Sequence, residues 1–95
     1  MNILTEIVEK SDDIIALLES NRFFDKNIFC PKHRLHFELQ VRMQRKWEQE
    51  QDIHLTAEEF ETVIQGICQE EVSETIYSLV DKGSSTVNKN LRKIL

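Results

Sequence analysis

The chain has 95 residues, a formal net charge of −5, two cysteines, one proline and two glycines. This length fits a single domain over residues 1–95 with a modest core, and the scarcity of turn residues favours an all-α fold. No apolar stretch approaches the roughly 20 residues that cross a bilayer, and two cysteines are too few for a secreted disulfide scaffold, so we expect a cytoplasmic protein with no membrane partner.

The charges are sorted along the chain rather than mixed. Residues 1–21 hold one Lys against five acids, and residues 22–47 hold seven Lys and Arg against two acids. Residues 48–81 hold ten acids and no Lys or Arg, and residues 82–95 hold four bases. Such blocks fit an ordinary fold in which acidic and basic elements lie side by side, or a face built for a charged partner.

The first predicted helix covers Ile3 to Ser20. Its apolar residues recur at helical spacing and include Ile3, Leu4, Ile7, Val8, Ile14, Ile15 and Leu18. The run Ser11, Asp12, Asp13 is a possible interruption. A short connector after this helix holds four large apolar residues, Phe23, Phe24, Ile28 and Phe29. They either pack into the core or form an aromatic patch that binds a partner.

Residues 34–43 support two interpretations. Pro31 suits the first turn of a second helix running to about Gln51, and an apolar ladder follows it at four-residue steps through Leu35, Leu39, Met43 and Trp47. The same residues alternate between apolar and polar, which is the period of a half-buried strand that would pair with its copy in a dimer. We favour the helix, because its residue types have good helix propensity.

The third predicted helix has the clearest start signal. Thr56 is placed as N-cap, Glu59 completes a capping box, and Leu55 can pack on Phe60. If the third helix continued, the apolar residues from Val72 onward would lie on the side opposite to its own apolar stripe. We therefore predict a turn at 68–70 and a separate helix ending at Gly83. Residues 84–95 are predicted to be a flexible or loosely docked tail whose apolar residues, Leu91, Ile94 and Leu95, form a last short turn.

Residues 55–83 resemble the helix-turn-helix and winged-helix superfamily. The matching positions are Gly66, Ile67, Cys68 and Gln69, then Val72 and Ser73, then Ile76, Leu79, Val80, Asp81, Lys82 and Gly83. The resemblance implies a helical hairpin within a small four- to five-helix domain. In such a hairpin the second helix would be the one that reads DNA.

The outward face of that second helix has the wrong charge for DNA. Glu70, Glu74, Tyr77 and Asp81 stand where a DNA reader carries basic or amide side chains, and phosphates would repel them. We therefore predict a small non-enzymatic regulatory module. It would bind a protein partner, basic or nucleic-acid-associated, through this acidic face, with Tyr77 as the aromatic anchor.

The alternative is a dimeric DNA-binding transcriptional regulator. Its contacts would come from the basic segment 34–46, through Arg34, Arg42, Arg45 and Lys46. A homodimer is compatible with either hypothesis, because a short chain buries little apolar surface alone.

Catalytic and metal chemistry have little support in the sequence. Cys30, His33 and His36 have the spacing C-x2-H-x2-H, which His54 and Cys68 could complete as a zinc site, but two tight ligand pairs are the usual pattern. No nucleophile arrangement, phosphate loop or dinucleotide fingerprint is present. We predict no metal, no cofactor and no enzymatic activity.

Overall fold

A computed structural model describes residues 2–20, 24, 31–67 and 85–95. The all-α prediction is confirmed, since these residues form four helices and no strand. In chain order they are α1 (Ile3–Ser20), α2 (Lys32–Glu48), α3 (Ala57–Ile67) and α4 (Ser85–Ile94).

Helix α1 has the predicted bounds and runs unbroken through Ser11. Ser11 is fully buried, and its Oγ donates a hydrogen bond to the His36 backbone oxygen of α2, 3.3 Å away. A small side chain at this position lets the two helices approach, and the bond satisfies the buried hydroxyl. The residue that looked like an interruption is therefore part of the α1–α2 packing.

Helix α2 contains the whole of residues 34–43, so the strand alternative is wrong. Leu35, Leu39 and Met43 are buried as the ladder predicted, whereas Trp47 remains 45% exposed. Pro31 precedes the first turn, where its carbonyl accepts from the backbone N–H of Leu35 at 3.0 Å. The strand-like alternation has a helical cause, since Phe37 lies on the opposite side of α2 from the buried ladder.

Helix α2 ends three residues before the predicted Gln51. Glu50 has φ 59°, in the left-handed region, and the backbone N–H of Gln51 donates to the Lys46 carbonyl at 2.8 Å. The backbone N–H of Glu50 donates to the Trp47 carbonyl at 2.9 Å. These two bonds form a Schellman motif, which satisfies the last carbonyls of the helix and turns the chain towards α3.

The capping box that opens α3 is confirmed. The backbone N–H of Glu59 donates to Thr56 Oγ1 at 3.2 Å, and the Thr56 N–H donates to Glu59 Oε1 at 3.1 Å. Leu55 and Phe60 on either side are both buried. The predicted turn at 68–70, the helix after it and the resemblance beyond Ile67 lie outside the described residues.

Helix α4 is longer than the short last turn that we expected, with ten residues from Ser85 to Ile94. Leu91 is fully buried, and Ile94 and Leu95 pack against the core. The prediction that these apolar residues dock is confirmed. Because α4 contributes a core residue, the end of the chain belongs to the fold.

Helix α1 packs against both α2 and α4, and α3 packs against α2. Helices α1 and α2 run antiparallel. Asp12 contacts His36, whereas Glu19, later on α1, contacts Lys32, which is earlier on α2. Each helix contributes apolar residues to one buried core, and Phe24 packs against it. None of the described helices combines the length and apolar character that crossing a membrane requires.

Candidate functional site

An open groove lies along the seam between the first half of α1 and most of α2. We call it the α1–α2 groove, and its volume is about 550 Å³. Its lining residues are Leu4, Ile7, Val8, Phe37, Gln40, Val41, Gln44, Arg45 and Glu48.

Three large apolar side chains of this groove face solvent. Phe37 is 61% exposed, Leu4 is 53% exposed and Val8 is 43% exposed. Single exposed apolar residues are ordinary on a protein surface, but a contiguous set in a concave site is typical of surfaces that bind another molecule. The α1–α2 groove is therefore the strongest candidate for a functional surface in the described part of the chain.

The groove exists because α1 and α2 each carry more apolar residues than one core stripe uses. On α2, Phe37 lies two positions after the buried Leu35, about 200° around the helix, and Val41 follows Phe37 by one turn. On α1, Leu4 and Val8 lie at the edge of the stripe that buries Ile7. The second apolar stripes of the two helices form the walls of the groove.

The groove includes an unsatisfied polar atom. Gln44 Nε2 donates to Glu48 Oε1 at 3.3 Å, whereas Gln44 Oε1 is buried without a hydrogen-bond partner among the described residues. A buried acceptor left unpaired costs about 1–3 kcal/mol. Gln44 therefore contributes little to the stability of the α1–α2 packing, although it lines the candidate site.

Two contacts between polar side chains link α1 and α2 beyond the end of the groove. Asp12 Oδ1 lies 2.6 Å from His36 Nε2, and Glu19 contacts Lys32. The groove itself is lined by two charged residues, Arg45 and Glu48, which are both exposed and both on α2. Arg45 makes no ion pair with another described residue, and Glu48 accepts the hydrogen bond from Gln44.

The four residues of the predicted basic segment 34–46 differ in their exposure. Arg34 and Arg45 are exposed and Arg42 is half-buried, all on one helix. The side chain of Lys46 is only 14% exposed, and its Nζ donates to the His54 backbone oxygen at 2.6 Å and to Glu59 Oε1 at 2.7 Å. Lys46 therefore joins α2 to α3, and its ammonium group is already hydrogen-bonded within the fold.

The Lys46 contact also sets the ionisation of Glu59. Burial acting alone would raise the pKa of this carboxyl, but the hydrogen bonds from Lys46 and from the Thr56 backbone outweigh it and hold the pKa below its ordinary value. The charged form of Glu59 is thereby favoured in the folded protein. One carboxylate both caps α3 and anchors Lys46.

His54 bridges α1 and the connection between α2 and α3. Its Nδ1 lies 2.5 Å from Asp52 Oδ1, and its Nε2 lies 2.6 Å from Lys10 Nζ. An ammonium group can only donate, so Nε2 is the acceptor and Nδ1–H donates to Asp52. The His54 backbone N–H, with its ring, holds the pKa of Asp52 below its ordinary value. His54 therefore has a structural role, because these bonds link α1 to the connection between α2 and α3.

The two histidines of the C-x2-H-x2-H spacing have different surroundings. His33 is exposed and His36 contacts Asp12, while Cys30 and Cys68 lie outside the described residues. Within residues 2–20, 24, 31–67 and 85–95, no three His, Cys, Asp or Glu side chains are grouped to hold a metal ion.

The chain matches no family model, no curated protein and no solved structure.

The acidic face predicted at Glu70, Glu74, Tyr77 and Asp81 lies outside the described residues. Sequence reasoning also missed the residues that form the α1–α2 groove, because it counted Leu4 and Val8 with the other apolar residues of the first helix and considered the stretch that contains Phe37 only as helix or strand. The available signal was the four-residue step from Phe37 to Val41, which is a second apolar stripe on a helix that already had one.

Proposed function

We propose that this chain is a small, non-enzymatic helical interaction module that binds a protein partner, and that the α1–α2 groove is a binding surface. One observation supports the proposal most strongly, the exposure of Leu4, Val8 and Phe37 along a single groove. Aromatic residues, Phe among them, are enriched at the cores of protein interfaces.

The exposed area is sufficient to contribute to binding. Complete burial of a Leu, Val or Phe side chain is worth about 1.5–3 kcal/mol, so covering the exposed halves of these three gives roughly 3 kcal/mol. This gain is offset by the entropy lost on association, and polar contacts around the rim must add to it. Phe37 is the residue whose removal should weaken binding most, because it offers the largest exposed apolar fraction.

The acidic face at Glu70, Glu74, Tyr77 and Asp81 remains a prediction for a second, charge-based contact with a basic partner. Changing Glu70→Lys together with Glu74→Lys should abolish capture of such a partner and leave the fold intact. Unchanged capture would remove this part of the proposal.

DNA binding by a dimeric regulator is the second candidate, favoured by the exposure of Arg34 and Arg45 on one helix. It has less support, since Lys46 is held by Glu59. Several phosphate contacts would make binding to random duplex DNA fall steeply between low and physiological salt. Absence of binding at low salt would eliminate this candidate.

The groove hypothesis is tested by site-specific photo-cross-linking. A benzophenone analogue of phenylalanine is placed at Phe37 in the full chain, and in a control at Glu58, which is exposed on α3. We expect one defined protein to be cross-linked from position 37 in cells that make this chain, and no equivalent product from position 58. The same products from both positions, or none from either, would contradict the proposal.

A further inference from the structure

We propose that the contact between Lys10 and His54 is an acid-sensitive switch. It holds α1 to the connection between α2 and α3 while the imidazole of His54 is neutral, and it opens when the imidazole is protonated. The switch does not involve the α1–α2 groove, so it is independent of the proposed function. Three features of His54 support it, namely its hydrogen bonds, the hold on its backbone and the charged groups around it.

The ring of His54 lies between one anion and one cation. Its Nδ1 lies 2.5 Å from Asp52 Oδ1, and its Nε2 lies 2.6 Å from Lys10 Nζ. Nδ1–H donates to Asp52 whether the ring is neutral or charged, but Nε2 accepts from the Lys10 ammonium only while Nε2 carries no proton. A proton on Nε2 therefore preserves the Asp52 bond and turns the Lys10 bond into a contact between two cations.

The backbone of His54 is held in place on both sides. Its N–H donates to Asp52 Oδ1 at 2.9 Å, and its carbonyl accepts from Lys46 Nζ at 2.6 Å. The residues before and after it in the sequence are both buried in the core. Lys10, by contrast, carries its ammonium group on a flexible four-carbon stem and is only half-buried. The Lys10 ammonium is therefore the group that moves away when the ring becomes charged.

Charged side chains lie near His54 on all four described helices and in the connection itself. They are Lys10 on α1, Lys46 on α2, Glu59 on α3, Arg92 on α4, and Asp52 in the connection. Lys46 bonds the His54 backbone oxygen and Glu59, so these bonds do not depend on the ring. Arg92 is a cation in both forms of the ring. Lys10 is thus the neighbour whose contact changes from attraction to repulsion when Nε2 gains a proton.

The change falls in the range in which histidine gains its charge, roughly pH 5 to 8. The Lys10 bond stabilises the fold above this range, where the ring is neutral, and its contribution is lost as pH falls through the range. Asp52 and Glu59 stay ionised throughout, since the pKa of each carboxyl is held below its ordinary value. Loss of a carboxylate therefore belongs to a lower pH than the opening of the switch.

The ratio of the unfolding equilibrium constants of Lys10→Met and wild type, measured by urea denaturation at two pH values, tests the switch. Both chains keep the other titrating groups, including His33 and His36, so those contributions cancel from the ratio. At about pH 8 we expect the constant of Lys10→Met to exceed that of wild type at least about threefold, because a partly exposed charged hydrogen bond is lost. At about pH 5.5 the ratio should fall to about 1 or below, because the substitution then removes a repulsion.

Two further variants serve as controls. Lys93→Met removes the same charge from an exposed position on α4, and its ratio to wild type should be the same at both pH values. His54→Gln keeps an acceptor for Lys10 and a donor for Asp52 but does not titrate, so in this background the effect of Lys10→Met should not change with pH. An equal ratio at both pH values in the wild-type background would overturn the switch. A pH change that persists with His54→Gln would overturn it as well.

NMR of the unaltered full chain tests the same contact without a substitution. We expect nuclear Overhauser contacts between the ε-methylene protons of Lys10 and the ring protons of His54 at about pH 8, and their loss at about pH 5.5 while the chain stays folded. Contacts of equal strength at both pH values, with the ring signals showing that His54 has become protonated, would overturn the proposal.

Discussion

Replacing Lys46 with Met should destabilise the fold strongly, although Lys46 is one of many charged residues on α2. Its Nζ donates to the His54 backbone oxygen at 2.6 Å and to Glu59 Oε1 at 2.7 Å, with only 14% of the Lys46 side chain exposed. Both bonds have the charged ammonium as donor, and a hydrogen bond that involves a charged group is worth about 1.5–3 kcal/mol. Because Met keeps the apolar stem and Glu59 is 27% exposed, we expect a loss of about 2–3 kcal/mol at neutral pH.

Urea denaturation followed by circular dichroism measures this loss. For a domain of this size, about 2–3 kcal/mol corresponds to a fall in Tm of roughly 10–20 °C. Lys93→Met is the matched control, since it removes the same charge from an exposed position on α4 and should change stability by less than about 0.5 kcal/mol. If Lys46→Met and Lys93→Met gave equal stabilities, Lys46 would not join α2 to α3 as described.

The destabilisation by Lys46→Met should also depend on pH. Glu59 has a lowered pKa in the fold, so its contribution is fully present above the ordinary carboxyl pKa and is lost as pH falls through the folded pKa. The difference between wild type and Lys46→Met should therefore shrink below about pH 4.5. A difference that stayed constant to pH 3 or below, at roughly its neutral value, would refute the assignment to the Glu59 carboxylate.

Substitutions at four further positions give independent expectations, each checked by the same denaturation measurement. Thr56→Ala should cost about 1 kcal/mol and Thr56→Ser little, because only the hydroxyl cap of α3 is lost. Glu50→Gly should stabilise by about 0.5–1 kcal/mol, since the left-handed φ at this position suits glycine; an unchanged midpoint would contradict the Schellman geometry. Gln44→Met should be neutral or stabilising by up to about 1 kcal/mol, as it removes a buried unpaired acceptor, and a clear loss would mean that the acceptor has a partner. Leu91→Ala should cost about 2–5 kcal/mol, and a near-zero effect would show that α4 is not part of the core.

The helical elements of the described chain could largely be predicted because their signals are local. The bounds of α1 follow from apolar residues at helical spacing, and the start of α3 follows from Thr56 and Glu59, three residues apart. Such signals depend on contacts within one or two turns. The end of α2 was less predictable, because Glu50 adopts a backbone conformation that its residue type rarely signals.

The uncertainty at residues 34–43 had a physical source. Two apolar stripes two positions apart on one helix, one through Leu35 and Leu39 and one through Phe37 and Val41, produce the same alternation as a strand. The sequence pattern alone cannot distinguish these cases, because the difference lies in what covers each stripe. In the structure the first stripe is buried by the core, and the second lines the α1–α2 groove.

The candidate site could not be predicted because it depends on which apolar residues lack a neighbour. Leu4 and Val8 look like core residues in the sequence, yet in the structure they are 53% and 43% exposed. Lys46 shows the converse, since a predicted nucleic-acid contact is buried by a residue on another helix. Burial and pairing over such distances are set by tertiary packing rather than by local pattern.

If this chain binds protein through the α1–α2 groove, binding must change the surroundings of the groove residues. Amide NMR spectra of the free full chain and of its complex with the protein cross-linked at position 37 measure that change residue by residue. We expect the largest chemical-shift changes at the amides of Leu4, Val8 and Phe37, and unchanged amide signals for Glu58 and Gln65 on α3. Changes centred on α3, with the groove residues unaffected, would contradict binding through the groove.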